Sequence, residues 1–160
     1  MPYVDSGWTG TATAGVREFE GSYGSCYVST PVETVITTGG AQVKALGTTT
    51  AGLLKGFSHA NNRLTYLSDQ TATFQVQVAA VVICAGDAKT LGLSVAKNGT
   101  EIAATKSDLA LASGAVPTSM NTCGLVSLTQ GQYLEVFFAN DTDTDNGTIN
   151  LMQFCVTEVG

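Results

Sequence analysis

The chain has 160 residues, of which only 12% are charged, and its formal net charge is −6. This length suits one domain, or one domain with an arm, and allows a buried core without disulfides. The seven Lys and Arg residues are scattered, with no stripe that could neutralise phosphates, which argues against nucleic-acid binding. No run reaches the roughly 18 apolar residues that a membrane span needs. The opening MPYVDSGWTG lacks the regions of a signal peptide, so we expect folding in a cytoplasm without membrane association.

Residues 1–30 are rich in Gly, Ser and Thr and carry widely spaced aromatic side chains. We predict that they form an extended N-terminal arm and that residues 31–160 form the folded domain. The aromatic residues are the candidates for anchoring this arm on the domain or on a neighbour. They are Tyr3, Trp8, Phe19, Tyr23 and Tyr27.

Strand patterns begin in residues 29–46, and Asn61-Asn62 marks a turn before a short strand over residues 64–67. Residues 71–84 (TATFQVQVAAVVIC) give the clearest strand. Their apolar residues first alternate with Thr and Gln, which is the period of a strand with one buried face. The alternation then stops in a continuous apolar run, so we expect the second half of this strand to be covered on both faces.

Three later segments have the same character. Residues 89–106 predict a hairpin with Asn98-Gly99 at its tip, because both residues tolerate the positive φ that a tight turn needs. Residues 123–140 predict two further strands joined by a turn. Residues 148–159 predict the last strand, which carries large apolar side chains on both faces.

Strands of this length, spaced by about 8–12 residues, indicate an all-β antiparallel sandwich or barrel. Only residues 106–115 could form a single helical turn. Tyr133 and Phe137 lie opposite the apolar face of their strand, and a second buried surface would cover them. A symmetric oligomer supplies such a surface most simply, and a loop of the same chain is the alternative. The candidate oligomer-interface residues are Tyr133, Phe137, Val81, Ile83, Met152 and Phe154.

The sequence offers little to an enzyme. His59 is the only histidine, and no Gly-x-Ser-x-Gly motif, phosphate-binding loop or dinucleotide fingerprint occurs. The four cysteines form no Cys-x-x-Cys pair. In a reducing compartment we expect them to be small buried apolar side chains, with a disulfide or metal role as the alternative. The single histidine argues against zinc. We therefore predict no enzymatic activity and no cofactor.

Residues 140–150 (NDTDTDNGTIN) combine an alternating acidic pattern with a turn signal. An EF-hand loop that starts at the first Asp needs Gly at its sixth position and Glu at its twelfth, where this chain has Asn146 and Met152. We therefore predict a solvated connection that reverses the chain at Asn146-Gly147. The weak metal candidates in this loop are Asp141, Asp143 and Asp145.

The strand motifs follow one another in an order that resembles a known fold family. They are Asn62-x-Leu64-Thr-Tyr66, TFQVQVAA, LGLSVAKNGTEI, LVSLTQGQYLEVFFAN and INLMQFCVTE, all within residues 57–158. This ordered set resembles the trimeric jelly-roll heads of the tumour necrosis factor and complement-head type. It resembles even more closely their counterparts among the virion proteins of tailed bacteriophages.

The resemblance implies a jelly-roll sandwich that forms a homotrimer and has a passive role in a virion. The expected function is that of a capsid decoration (cement) protein, made in the host cytoplasm, whose partner is the major capsid protein. The arm aromatics would then make the contacts with the outer capsid surface. The alternative is the receptor-binding head of a tail fibre that recognises a host surface glycan. The lack of a coiled-coil or collagen-like stalk favours the decoration protein.

Overall fold

The computed structural model describes residues 21–113 and 116–159. Within these ranges the chain consists of β-strands, their connections and one 3₁₀ turn, Ala103–Thr105. The strands in chain order are β1 (Tyr23–Thr30), β2 (Glu33–Thr34), β3 (Val43–Lys44), β4 (Thr48–Lys55), β5 (Phe57–Ala60), β6 (Arg63–Tyr66), β7 (Ala72–Cys84), β8 (Lys89–Lys97), β9 (Thr100–Glu101), β10 (Ser107–Leu111), β11 (Thr118–Leu128), β12 (Tyr133–Asn140) and β13 (Gly147–Glu158). They confirm the predicted all-β jelly-roll sandwich.

The strands form two antiparallel sheets that pack face to face. Sheet 1 has the order β11-β7-β13-β1-β4, and β2 also pairs with β13. Sheet 2 has the order β10-β8-β12-β6-β5, with β3 on the edge of β12 and β9 on the edge of β8. Strands that are adjacent in a sheet are mostly distant in the chain, so most strand pairings are long-range. The connections therefore cross between the two sheets, unlike those of a β-meander, in which consecutive strands are neighbours.

The core lies between the sheets and follows the two-residue period of the strands. Along β7 every second residue from Phe74 to Cys84 points inwards and is buried. Phe74 packs against Phe57 and Tyr66 of sheet 2, with ring centroids 5.2 and 4.9 Å away and steep interplanar angles. Such edge-to-face contacts add about 0.5–1.5 kcal/mol per pair to the burial of the rings.

Two of the predicted tight turns are confirmed. Asn61 and Asn62 connect β5 to β6 with φ of 52° and 57°. Asn98 and Gly99 connect β8 to β9 with φ of 52° and 78°. Positive φ at both central residues is the turn geometry that matches the twist of a hairpin, and Asn and Gly adopt it at the lowest cost.

Other expectations are corrected. Residues 23–30 were predicted to belong to the arm, but they form β1, which pairs with β13 on one side and with β4 on the other. Of residues 106–115, the described part (106–113) contains the strand β10, paired with β8, in place of the expected helical turn. The predicted strands in residues 29–46 shrink to the two-residue strands β2 and β3.

The reversal before β13 also differs from the expected turn. Neither Asn146 nor Gly147 has positive φ, and Gly147 is already the first residue of β13. An added Cβ at Gly147 would lie 2.3 Å from the ring of Phe138, so glycine is required here by close packing. The six residues before it make the reversal.

Candidate functional site: the uncharged face of sheet 1

Strands β11, β7, β13 and β1 carry no charged side chain on the outer face of sheet 1, whereas Lys55 of β4 and Glu33 of β2 lie at the margin of this face. Because side chains alternate along a strand, one set of residues from β1, β7, β11 and β13 points away from the core. We call this set the open face. It consists of Tyr23, Ser25, Tyr27, Ser29, Thr73, Gln75, Gln77, Ala79, Val81, Ile83, Ser119, Asn121, Cys123, Leu125, Ser127, Leu151, Gln153, Cys155 and Thr157.

Large apolar groups stand exposed on the open face. Leu125 and Leu151 keep 64% and 63% of their surface accessible, and Tyr27 keeps 41%. A groove of about 500 Å³ runs between Tyr27, Val81 and Leu151. Single exposed apolar residues are ordinary, but an uncharged sheet face that combines them with a groove is typical of a surface that another molecule covers.

The predicted interface residues divide between the two sides of sheet 1. Val81 and Ile83 are half-buried and lie on the open face, so their role in an interface stays a prediction. Met152 and Phe154 point inwards, are 7% and 2% exposed, and belong to the core of the single chain. Their assignment to an interface is therefore corrected. The sequence was ambiguous because Leu151, which does point outwards, is as apolar as Met152.

Tyr133 and Phe137 lie on the outer face of sheet 2, where the chain itself buries Phe137 and half-buries Tyr133. Phe137 is only 9% exposed and pairs with Lys44 of β3. The guanidinium of Arg63 lies 4.2 Å from the centre of the Tyr133 ring, in cation–π geometry. For Phe137 the interface prediction is thus replaced by its alternative, cover by the same chain, whereas an interface role for the half-buried Tyr133 stays a prediction.

A buried carboxylate binds the two cationic side chains on the outer face of sheet 2. Glu135 is 2% exposed, and its Oε1 lies 2.6 Å from Lys44 Nζ and 2.7 Å from Arg63 Nε. The hydrogen bond from Arg63 to Glu135 raises the pKa of the guanidinium. The outer face of sheet 2 is therefore charged and internally paired, in contrast to the open face of sheet 1.

The acidic loop between β12 and β13 is organised by one buried side chain. Asn140 is fully buried, and its Oδ1 accepts hydrogen bonds from the backbone N–H groups of Thr142 and Asp143 at 3.0 and 3.2 Å. Its Nδ2 donates to Asp143 Oδ1 at 2.7 Å and to the Asp145 carbonyl at 3.1 Å. The loop is thus a fixed turn built around an amide.

The three aspartates that were weak metal candidates are each paired with a lysine. Lys89 Nζ contacts Asp143 and lies 2.7 Å from Asp145, whereas Lys106 lies 2.8 Å from Asp141. The hydrogen bond from Lys89 lowers the pKa of Asp143. Each of these carboxylates thus has an ammonium partner, and the described part of the chain contains no group of three His, Cys, Asp or Glu residues that could hold a metal ion.

His59 joins two strands. Its Nε2 makes a 2.7 Å hydrogen bond with Thr49 Oγ1, which links β5 to β4. Burial lowers the pKa of His59. Of the cysteines, Cys26 and Cys84 are buried as expected, whereas Cys123 is exposed and Cys155 is half-exposed on the open face.

The arm aromatics are only partly visible. Tyr3, Trp8 and Phe19 lie outside the described residues. Tyr23 and Tyr27 are part of β1 and point outwards on the open face. Within residues 21–113 and 116–159, no helix has the length and apolar character that crossing a membrane requires.

No protein-family model and no curated protein sequence matches this chain. Solved structures do match it. Murine APRIL aligns with 87% of this chain and 99% of its own at a TM-score of 0.61 and 13% identity. Eiger TNF from S. frugiperda aligns with 88% and 93% at a TM-score of 0.58 and 12% identity. The PRD1 vertex protein P5 aligns with 87% and 97% at a TM-score of 0.55 and 10% identity. At these identities the likeness concerns the fold, and the chain has a jelly-roll sandwich of the tumour necrosis factor type.

Proposed function

We propose that this chain is a structural virion protein that forms a homotrimer and decorates the outer surface of a capsid. The observation that carries the proposal is the open face, which exposes Leu125, Leu151 and Tyr27 and has no charge among its residues. The chain has a net charge of −6, so a surface without carboxylates is where copies of it can approach one another without repulsion.

The size of the open face suits a stable subunit contact. Strands β11, β7 and β13 pair over eleven residues. These three strands cover roughly 14 by 36 Å, and the eight residues of β1 add roughly 5 by 26 Å, if strands lie about 4.8 Å apart and rise about 3.3 Å per residue. The sum is about 650 Å² before side-chain relief is added, against the ~800 Å² per partner of a standard interface. A ring of three needs a head-to-tail contact, in which the open face of one subunit meets a different surface of the next.

A position in a virion is supported by the likeness to the PRD1 vertex protein and by the motif resemblance to tailed-phage virion proteins. As a cement protein, the trimer would bury apolar and neutral-polar area across several copies of the major capsid protein. Tyr3 and Trp8 are the residues of the arm that we assign to this contact. We propose no enzymatic role, because the described residues hold His59 in a structural hydrogen bond and pair the acidic loop with lysines.

The trimer is tested by analytical ultracentrifugation of the full chain and of the variant Leu125→Glu/Leu151→Glu. We expect a trimer for the full chain and a folded monomer for the variant. The matched control is Leu67→Glu, because Leu67 is also exposed, at 49%, but lies outside the open face. A monomeric full chain would refute the trimer, and a variant that remains trimeric would show that the open face is not the contact.

The virion role is tested separately, with the trimeric protein. We expect it to sediment with empty capsids of the source virus and not to bind intact host cells. Binding to host cells without binding to capsids would replace the cement assignment with the receptor-binding head. Deletion of residues 1–20 should abolish binding to capsids, and binding that survives the deletion would overturn the role assigned to the arm.

A further inference from the structure

Two of the four thiols of this chain stand near the middle of the open face. Cys123 of β11 and Cys155 of β13 both lie opposite Gln77 of the intervening strand β7, so the three residues form one line across the sheet. Ser25 of β1 continues this line beyond Cys155. Cys123 is exposed and Cys155 is half-exposed. The exposed Leu125 lies two residues from Cys123 on the same face of its strand, at about 7 Å.

Neither of these thiols can form a disulfide within the chain. Two strand spacings separate the Cα atoms of Cys123 and Cys155 by about 10 Å, whereas a disulfide needs a Cα separation below roughly 7 Å. Cys26 lies in the strand next to Cys155, but it points into the core while Cys155 points outwards. Cys84 is buried at the end of β7. A sulfur that bonds to Cys123 or Cys155 must therefore come from another molecule.

Each of the two open-face thiols lines a groove that can hold a small molecule. The groove at Cys123 has a volume of about 280 Å³. Its hydrogen-bonding groups are amides, hydroxyls and an ammonium group, which belong to Gln77, Asn121, Ser107, Thr122 and Lys106. The groove at Cys155 has a volume of about 240 Å³ and has Tyr23 and Leu53 in its wall. These volumes approach the roughly 300 Å³ at which small-molecule sites begin.

We propose that Cys123 and Cys155 are sites of S-thiolation by a small peptide disulfide, and that an adduct at either thiol keeps the subunits apart. The second part rests on the proposed trimer with the open face as its contact. In the exchange, the cysteine thiolate attacks one sulfur of the disulfide R–S–S–R. The S–S bond of the reagent breaks, Cys–S–S–R forms, and R–S⁻ leaves with the electron pair and takes up the proton that the cysteine released. The cysteine sulfur is oxidised and the leaving sulfur is reduced, so no further oxidant is needed.

The position of the adducts explains how they would block assembly. A tripeptide adduct extends over roughly 10 Å. From Cys123 this length covers Leu125, and from Cys155 it covers Tyr23, which lies two residues from Ser25 on β1. Subunit interfaces pack as densely as protein interiors, so a group of this size would hold the next subunit away. The carboxylates of a peptide adduct would also put charge on an uncharged face, opposite a copy whose net charge is −6.

The two buried thiols stay out of this chemistry. Burial raises the pKa of Cys26 to about 12, and burial is also the main cause of the raised pKa of Cys84. The Cys84 thiol donates hydrogen bonds to the carbonyl oxygens of Ala85 and Asn146, each at 3.4 Å. Because the thiolate is the nucleophile in disulfide exchange, the fold divides the four cysteines into two reactive and two inert ones.

The modification site is tested by mass spectrometry of the monomeric variant Leu125→Glu/Leu151→Glu after incubation with excess glutathione disulfide at pH 8. We expect two adducts per chain, and peptide mapping should place them on Cys123 and Cys155. The assembled full chain should react roughly tenfold more slowly, because the contact covers both thiols. A folded monomeric variant that takes no adduct at these two positions would overturn the site.

The effect on assembly is tested by sedimentation of the full chain, thiolated at low concentration and then concentrated. We expect monomers, and removal of the adducts with a dithiol reductant should restore the trimer. The control is Cys123→Ser/Cys155→Ser, which should sediment identically with and without glutathione disulfide. A trimer that carries adducts on both Cys123 and Cys155 would overturn the effect on assembly. The adducts are counted without reference to assembly. An untreated full chain that sediments as a monomer would therefore refute the proposed trimer and its regulation, while adducts on both thiols would still establish the modification site.

Discussion

Replacement of Glu135 tests whether the outer face of sheet 2 is held by a desolvated charge. Glu135→Gln keeps the shape and one hydrogen bond but removes the negative charge between Lys44 and Arg63. Breaking a fully buried ion pair costs about 3–5 kcal/mol. The two cations here are 27% and 37% exposed and can turn towards water, so we expect a smaller loss of about 1.5–3 kcal/mol in the free energy of unfolding.

The assay is urea unfolding at a fixed subunit concentration, because an oligomer couples stability to concentration. Asp69→Asn is the control, since this exposed carboxylate should change stability by less than about 0.5 kcal/mol. The loss at Glu135 should also persist in high salt, because buried pairs are screened much less than exposed ones. A cost for Glu135→Gln no larger than that of the control would refute the reasoning.

Three further predictions concern the core, the loop and a thiol. Phe154→Ala should cost about 3–5 kcal/mol of stability in urea unfolding of the monomeric variant, whereas Gln153→Ala, at the neighbouring outward position, should cost less than about 1; equal costs would reverse the inward and outward assignment. Lys89→Met should raise the titration midpoint of Asp143, measured by NMR, towards its ordinary value of 3.8. The stabilisation from this pair is present above that value and is lost as pH falls through the lowered pKa, and an unchanged midpoint would exclude Lys89 as the cause. Burial raises the pKa of Cys26 to about 12, so its thiol should resist labelling at pH 8 in the folded chain, and rapid labelling would contradict its burial.

The inward side of β7 could be predicted from residues alone because this strand displays its period. Phe74 and the alternate residues after it are inward, as the first half of the strand indicates. Hairpins at Asn61-Asn62 and Asn98-Gly99 could also be predicted, since few residues adopt positive φ at both turn positions. These signals are local, and each depends on the conformational preference of a few residues.

Contacts between residues that are distant in the chain could not be predicted from local sequence patterns. The residues 106–115 themselves do not indicate the strand β10. This strand forms because its pairing with β8 outweighs the weak conformational preference of its own residues. The aspartates of the acidic loop are its most visible sequence feature, yet the side chain of Asn140 fixes the conformation of the loop. In addition, Lys89, some fifty residues earlier, binds two of the loop carboxylates. A sequence pattern cannot show which cation the fold brings to a loop.

Strands with apolar residues on both faces predict a second buried surface, but they do not indicate which of the two sheets carries it. The inference that such strands need a second cover is met on β12, whereas on β7 it stays a prediction. On β12 the chain supplies the cover itself, with Arg63 over Tyr133 and Lys44 beside Glu135. On β7 no described segment covers the outward residues, and Leu151 of the neighbouring strand stays 63% exposed. We therefore propose sheet 1 as the place of the second cover, and its lack of charge favours another copy of the chain as the occupant.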